Sequence, residues 1–331
     1  FLPEAFPGRC LAPLARMGDA EVESLLAAAA QHRLREKSRR VGAMAEATSR
    51  DQAVYQGIAE ALGYRHNKLP MAVLAQRCPV RELLDSDGRE HEARLFGVAG
   101  FLGVDLAVDS RSDETPPYVR RLWDAWWRMR DRHGTDPARA IRWRVDGMRP
   151  VNHPQRRIAA LGALVGQWEK VRNFWEEPVN NLPQVVKKWV ETLEHPYWNR
   201  HISLRSAATA KPLRLVGDDR LRDLLGNVVF PVVVGDSPVF WRDYLRLRAV
   251  DENQKTRRAA LRLFGRDDDR KKLFTRYYHQ QQGLLQIYED FCLEDLSECA
   301  RCPFPEQLLQ WREAVGVGHP VSGSGGMGDR V

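Results

Sequence analysis

The cysteines are the residues of this sequence whose types and spacing point most directly to chemistry. Three of the five lie close together near the end of the chain, at Cys292, Cys299 and Cys302. Clustered thiols in a chain of intracellular composition more often bind a metal ion or an iron–sulfur cluster than form disulfides, because reducing compartments keep thiols free. A fourth ligand is then needed, and the candidates are Cys10 and Cys78. If Cys10 completes the set, the site joins the two ends of the chain.

A structural role for the same cysteines stays open. Cys292 would then be a buried apolar residue of its helix, and Cys299 and Cys302 would form an exposed pair. Cys78, which precedes Pro79, has no thiol near it in sequence and is most simply a core residue. If a metal is bound, the cofactor is zinc or an iron–sulfur cluster, and the sequence does not distinguish the two.

Arginines and tryptophans alternate between Arg120 and Arg157. Indole rings offer faces on which bases stack, worth about 1–3 kcal/mol per base, and guanidinium groups pair with phosphates and release counterions. This is the composition of a nucleic-acid groove. The residues expected to contact nucleic acid are Trp127, Arg128, Arg144, Arg149, Asn152, His153, Arg156 and Arg157.

Each part of this block also has a plainer interpretation. Trp123 and Trp126 fit the buried stripe of a helix, with arginines covering their edges, whereas Trp127 breaks the stripe and should be exposed. Asn152 or His153 is placed to cap a helix that begins at Pro154, and the free N–H groups of that helix would form an anion site completed by the arginines at 149, 156 and 157. The alternative is a rigid cap surrounded by surface arginines.

Composition limits the class of protein more than its activity. The chain has 331 residues, of which 43% are hydrophobic and 29% charged, so it can bury a sizeable core. Its net charge of +7 favours an anionic partner, although a GC-rich genome also produces arginine-rich proteins. No apolar run approaches the roughly 18 residues of a membrane span, and the first residues do not resemble a signal peptide. We therefore expect a cytoplasmic protein without a membrane partner.

The hydrophobic pattern has the period of a helix along most of the chain. One such stripe begins after Ser49 or Asp51, either of which would cap it, and ends at Gly63. The single β-branched run, 228–234, is interrupted by Pro231, which disfavours a central strand. The sequence therefore predicts a mainly α fold: a multi-helical body with short irregular segments, its N- and C-terminal ends joined by the cysteine cluster.

Turn-forming and charged stretches suggest how this body is divided. Residues 1–18 are expected to connect to a missing N-terminal segment, and residues 19–104 to form one helical subdomain. Residues 105–117 form an exposed link, and residues 118–312 form a second helical subdomain that ends in the cysteine cluster. The stretch 206–217 resembles another link. The glycine-rich tail, 313–331, is expected to be disordered.

Several short motifs together resemble a large bacterial family of unknown function, numbered 2851 (DUF2851). The central one is the RP-x-N-x-P-x-x-RIA stretch that begins at Arg149. Others follow the same order, including Leu62-Gly63-Tyr64 with Asn67, Pro196-Tyr197-Trp198-Asn199, and Gln282-Gly283-Leu284. The resemblance extends from Cys10 to about Leu309.

The resemblance implies two further features. Family members carry a Pro-Cys near the position of Cys10 and a C-x-n-C-x-x-C near their ends, which implies a four-thiolate site of Cys10, Cys292, Cys299 and Cys302. They also begin with an additional acidic segment similar to the metal-binding core of restriction-endonuclease-like nucleases. That segment is not part of this sequence, so we expect a truncated chain that is inactive alone, although the full-length protein would be an enzyme if the family is a nuclease.

The leading hypothesis is therefore the helical, cysteine-clamped part of a nucleic-acid-processing, nuclease-like protein, with no catalytic residue in this chain. The alternative is a non-catalytic structural or protein-interaction scaffold, in which all the tryptophans are core residues and the positive charge reflects genome composition. Exposure of Trp127, and arginines grouped on one face, would separate the two.

Overall fold

The computed structural model describes residues 6–86, 88–106, 116–134, 136–176, 179–234, 238–250, 252–272, 274–294 and 298–317. The chain divides into two compact units. Unit 1 combines residues 1–33 with residues 251–331, and unit 2 consists of residues 34–250. Among the described residues, helices dominate and no β-strand forms, which confirms the predicted mainly α class.

Sixteen α-helices lie in the described part of the chain, joined by short 3-10 and π-helical turns. They are α1 (Leu11–Ala15), α2 (Asp19–Ala47), α3 (Arg50–Leu62), α4 (Tyr64–Arg77), α5 (Val80–Leu84), α6 (Gly88–Val98), α7 (Pro117–His133), α8 (Pro154–Val165), α9 (Trp168–Glu176), α10 (Leu182–Glu191), α11 (Asp218–Leu224), α12 (Phe230–Val233), α13 (Pro238–Arg246), α14 (Gln254–Phe264), α15 (Tyr278–Glu289) and α16 (Phe304–Val317). No helix in these ranges is both long and apolar enough to cross a bilayer.

Helix boundaries follow local chemistry. The Ser49 side chain accepts a hydrogen bond from the Gln52 N–H at the start of α3, which confirms one of the two predicted caps. His153 caps α8 in the same way, and Pro154 occupies its first position. The run 228–234 forms part of a π-helical turn (Leu225–Val229) and α12, so its residues are helical despite their β-branched character.

The core of unit 1 combines buried residues of α1, the start of α2, α14, α15 and α16. The core contains apolar residues from both ends of the chain, among them Leu14, Leu26, Phe264 and Phe304. Helix α15 approaches α2 so closely that a Cβ at Gly283 would collide with the Leu26 carbonyl. Close backbone contact of this kind requires glycine, which has no side chain.

Within unit 1, polar contacts also join residues near the start of the chain to residues of its C-terminal part. The Gly8 N–H donates to the Arg262 carbonyl at 2.7 Å, and the Arg9 guanidinium donates to the Ala300 carbonyl at 2.7 Å and pairs with Glu306. The described part of the predicted connector, 1–18, is packed into unit 1: residues 11–15 form α1, and Leu14 is buried in the core.

Unit 2 packs α3 against α4, α8 and α11, and α6 against α7. On α7, Val119, Leu122, Trp123 and Trp126 are buried, as the stripe predicts. The ring of Trp126 lies directly on Gly97, where no larger residue would fit. These contacts form the base on which the arginine-rich segment after α7 rests.

The two units differ from the subdomains predicted at 19–104 and 118–312. The division between the units falls within α2, after residue 33, and α14, α15 and α16 belong to the same unit as α1. Pairing between distant parts of the chain cannot be read from local turn signals. Residues 107–115 of the predicted link and 318–331 of the predicted tail lie outside the described residues, whereas 313–317 belong to α16.

Candidate functional site

Four of the five cysteines line one small cavity in unit 1. Cys10 precedes α1, Cys292 lies in the π-helical turn Asp290–Glu294, Cys299 begins a 3-10 turn, and Cys302 follows that turn. The cavity has a volume of about 40 Å³. Its wall also includes Phe291 and Phe304, whose rings stack with their centroids 4.6 Å apart. The fold therefore brings the sequence-distant Cys10 to the same cavity as the C-terminal thiols.

The thiols of this cavity interact with backbone groups. The Arg9 N–H donates to Cys299 Sγ at 3.3 Å. Cys10 Sγ donates to the Arg262 carbonyl at 4.0 Å, and Cys302 Sγ donates to the Phe291 carbonyl at 3.8 Å. Sulfur is a weak donor, so these are weak bonds of protonated thiols.

Burial governs the protonation of these thiols. Burial, together with electrostatic repulsion from the nearby Cys292 and Cys299 thiols, raises the pKa of Cys10 to about 12. Burial also raises the pKa of Cys292, although the Arg262 guanidinium opposes this effect. Without a cation, the charged thiolate is poorly solvated here, so the protonated form is favoured.

The predicted four-thiolate metal centre is not formed in this arrangement. All five cysteines are free, and no group of three or more His, Cys, Asp or Glu side chains in the described ranges is placed to hold a metal ion. The alternative of an exposed Cys299–Cys302 pair is also wrong for Cys302, which is buried in the core of unit 1. Cys78 is fully buried, as expected of a core residue.

Arg156 and Arg157 are not surface residues, and this corrects the prediction that they face an anionic ligand. The Arg156 side chain has no exposed surface. Its guanidinium donates to the carbonyls of Trp198, His201 (3.2 Å), Leu213 (2.8 Å) and Arg214 (2.7 Å). Because buried charge must be satisfied by hydrogen bonds, these carbonyls occupy the donors that a phosphate would need.

Arg157 has a similar structural role. It donates to the Leu215 and Val151 carbonyls and to the Asn152 side-chain oxygen, each at 2.8 Å. Asn152 is thus bound to Arg157, and His153 Nδ1 accepts the Gln155 N–H at 3.4 Å as the cap of α8. The stretch 206–217, which resembled an exposed link, supplies three of the carbonyls that hold these arginines.

Trp127 is the tryptophan of α7 that faces solvent, with 39% of its surface exposed, whereas Trp123 and Trp126 are buried. Its ring stacks on Trp123 at 4.8 Å, and the Arg130 guanidinium lies over its other face, 3.3 Å from the ring centroid. A cation over an indole face is a favourable cation–π contact. The expected exposure of Trp127 is confirmed.

Arg128, Arg144 and Arg149 are the predicted contact arginines that remain exposed. The segment that carries Arg144 is fixed by its neighbours: the buried Asn67 amide bonds to the Arg144 backbone, and Trp143 Nε1 donates to the Ala99 carbonyl at 2.8 Å. Two tryptophans therefore contact the end of α6: the Trp126 ring lies on Gly97 within the helix, and Trp143 binds Ala99 just after it. We call Trp127, Arg128, Arg144 and Arg149 the Arg/Trp surface.

Sequence reasoning missed a larger, basic cavity in unit 2. It lies among α10, α11 and α13 and has a volume of about 550 Å³. Arg242 and Arg246 line it from α13, four residues apart and therefore on one side of the helix. That spacing is visible in the sequence, although the intervening Asp243 offsets part of the positive charge.

The fold and these cavities define a mainly helical, two-unit protein with a thiol-lined cavity and an arginine-rich surface. The chain belongs to the family described as protein of unknown function (DUF2851), whose characteristic sequence matches residues 5–241. The match includes Cys10 but ends before Cys292, Cys299 and Cys302, so it is shorter than the resemblance to Leu309. No curated protein and no solved structure matches this chain.

Proposed function

We propose that this chain is the helical part of a nucleic-acid-processing protein and that its Arg/Trp surface binds the polyanion. The observation that carries the proposal is the exposed Trp127, next in sequence to the exposed Arg128, in a protein of net charge +7. Trp123 and Arg130 cover the two faces of the indole, so a base would stack on it in place of the Arg130 side chain, while flexible guanidinium groups pair with phosphates. We assign binding to this chain and no catalytic residue.

The buried positions limit which residues take part. Arg156, Arg157 and His153 hold the local fold, and Asn152 is bound to Arg157, so their role is to position the backbone next to Arg149. Arg144 is held in the same indirect way by Asn67. The polyanion would therefore contact side chains that a buried hydrogen-bonded framework keeps in place.

The binding test is fluorescence anisotropy with labelled single-stranded and double-stranded DNA and RNA. The variant carries Arg128→Glu, Arg144→Glu and Arg149→Glu. The matched control carries Arg35→Glu, Arg40→Glu and Arg81→Glu, three exposed arginines of the same unit, so both proteins have the same net charge. The proposal expects the first variant to lose at least 10-fold in affinity and the control to lose much less.

Equal losses in the two variants would reject this surface as a specific contact, because general charge alone would then explain binding. Unchanged binding by both would reject it as well.

The rival function is a non-catalytic structural or protein-interaction scaffold, and the burial of Trp123, Trp126 and Arg156 favours it. No nucleic-acid binding by the folded protein would support the scaffold.

The four-thiol cavity is proposed to bind zinc or an iron–sulfur cluster. What supports this is the shared cavity of Cys10, Cys292, Cys299 and Cys302 and the Arg9 N–H directed at Cys299 Sγ, since amide donors to sulfur are common around thiolate centres. A cation would favour the thiolates that burial disfavours, after the sulfur atoms shift inward. When bound, the centre would link the parts of unit 1.

Metal content tests this part of the proposal. Anaerobically purified protein is measured by elemental analysis and by its ultraviolet–visible spectrum, beside Cys299→Ser and the matched control Cys78→Ser. About one zinc ion or one cluster per chain, lost in the first variant and kept in the second, is the expected result. Protein that is folded, colourless and metal-free would reject the metal and leave the cavity as ordinary core.

A further inference from the structure

The cavity of about 550 Å³ in unit 2 has the size and composition of a small-molecule site. It is a partly open cleft among α10, α11 and α13. Five basic side chains lie in its wall: Lys187 from α10, Arg222 from α11, Arg242 and Arg246 from α13, and Arg248 just after α13. Arg222 pairs with Asp219 at 2.8 Å, and the Lys187 ammonium lies 3.9 Å from Glu191. None of them belongs to the Arg/Trp surface, so this inference does not depend on the proposed nucleic-acid function.

The acids in the wall are occupied by other partners. Asp243 Oδ2 accepts the Leu182 N–H at 3.0 Å, at the start of α10. Asp218 lies 3.4 Å from the guanidinium of Arg214. In the part of the chain that the structure describes, neither Arg242 nor Arg246 pairs with a carboxylate. The wall therefore keeps an excess of positive charge.

The other part of the wall is apolar. Leu221 and Leu225 from one side and Leu247 from another are buried, and Val239 is partly exposed at the cavity. A cavity used only for an inorganic ion would need no such surface. Apolar walls with a few convergent cations are typical of sites for organic anions, because the body of the ligand is desolvated while its charge is paired.

We propose that this cavity binds an organic phosphate of nucleotide size, with the phosphates at Arg242 and Arg246 and the base against the leucines. Two guanidinium groups and an ammonium match a ligand with at least two negative charges. A guanidinium fork pairs with phosphate oxygens in a bidentate arrangement, and a single carboxylate would occupy only one of the two forks. The volume accommodates a nucleoside diphosphate.

Isothermal titration calorimetry with ADP, pyrophosphate and adenosine separates the two parts of the site. ADP should bind at least 10-fold more tightly than pyrophosphate or adenosine, because only ADP uses both the cations and the leucines. Arg242→Gln with Arg246→Gln should weaken ADP at least 10-fold. The matched control, Lys188→Gln with Arg200→Gln, changes two exposed cations outside the cavity and should leave ADP affinity unchanged.

A second variant guards against loss of folding. Val239→Glu adds an anion at a partly exposed position of the cavity. The substitution should weaken the binding of ADP at least as much as the binding of pyrophosphate. The circular dichroism spectrum should stay that of the unmodified protein. Three results would overturn the inference: no ADP binding at millimolar concentration, pyrophosphate binding as tight as ADP, or ADP binding that survives the double arginine substitution. Failure of nucleic-acid binding through the Arg/Trp surface would leave these outcomes unaffected.

Discussion

The side-chain amide of Asn67 forms two reciprocal hydrogen bonds with the backbone of Arg144. Asn67 Nδ2 donates to the Arg144 carbonyl at 2.8 Å, and the Arg144 N–H donates to Asn67 Oδ1 at 2.9 Å. Asn67 is buried and has non-helical φ/ψ angles inside α4. A kink in one helix thus orients an amide that holds an arginine-bearing segment 77 residues away in sequence.

Asn67→Ala should destabilise the protein by about 2 kcal/mol, because the substitution leaves both backbone groups of Arg144 without their partner. Nucleic-acid affinity should fall as well, since Arg144 is no longer held in place. Urea unfolding and anisotropy measure the two effects. Wild-type stability with wild-type affinity would show that the amide pair neither supports the fold nor positions Arg144.

Arg156→Met should destabilise unit 2 by at least about 3 kcal/mol. Four carbonyls accept hydrogen bonds from the guanidinium, and charge-assisted bonds of this kind contribute about 1.5–3 kcal/mol each. Arg156→Lys should recover only part of the loss, because an ammonium cannot match the planar fork. Thermal unfolding followed by circular dichroism tests this, and a melting temperature unchanged in Arg156→Met would contradict the buried role.

Gly283→Ala should destabilise unit 1 by more than about 2 kcal/mol, since the added methyl group would meet the Leu26 carbonyl and push α15 away from α2. Gly42→Ala is the matched control. Gly42 lies in α2 with open space around its Cβ position, so alanine there should stabilise the protein by about 0.5–1 kcal/mol. Equal effects of the two substitutions in urea unfolding would contradict the close approach of α15 and α2.

Deprotonation of buried thiols should lower stability at alkaline pH. Burial raises the pKa of Cys78 from 9.0 to about 12. A thiol whose pKa is higher in the folded state contributes stability below pH 9, and that contribution is lost as the pH rises from about 9 to about 12. Cys78→Ala should therefore show a smaller fall in unfolding free energy across this interval. Parallel curves for the two proteins would show that Cys78 does not titrate in this way.

Local sequence signals predicted the helices well. The stripe of α7, the Ser49 and His153 caps, and the inference that Pro231 disfavours a central β-strand all concern residues within a few positions of one another. The mainly α class follows from such signals. The assembly of unit 1 from both ends of the chain does not, because it depends on contacts such as Gly8 with Arg262.

The cysteine cavity and the buried arginines likewise depend on contacts between distant residues, which local sequence signals do not predict. Cys10 lines the same cavity as Cys292, Cys299 and Cys302, but the four-thiolate site that the family resemblance implied is not formed among the described residues. Cysteine spacing carries no information on how the sulfur atoms converge. Arg156 and Arg157 look like surface charges in sequence, since arginine is usually exposed. Only the carbonyls of residues 198–215, brought together by the fold, explain their burial.

The central claim is that the Arg/Trp surface pairs with phosphates, and the salt dependence of binding tests it most directly. The slope of the logarithm of the association constant against the logarithm of salt concentration is measured for wild type and for Arg128→Gln with Arg144→Gln and Arg149→Gln. Loss of three phosphate contacts should reduce the magnitude of the slope by about 2–3. Identical slopes for the two folded proteins would contradict the claim.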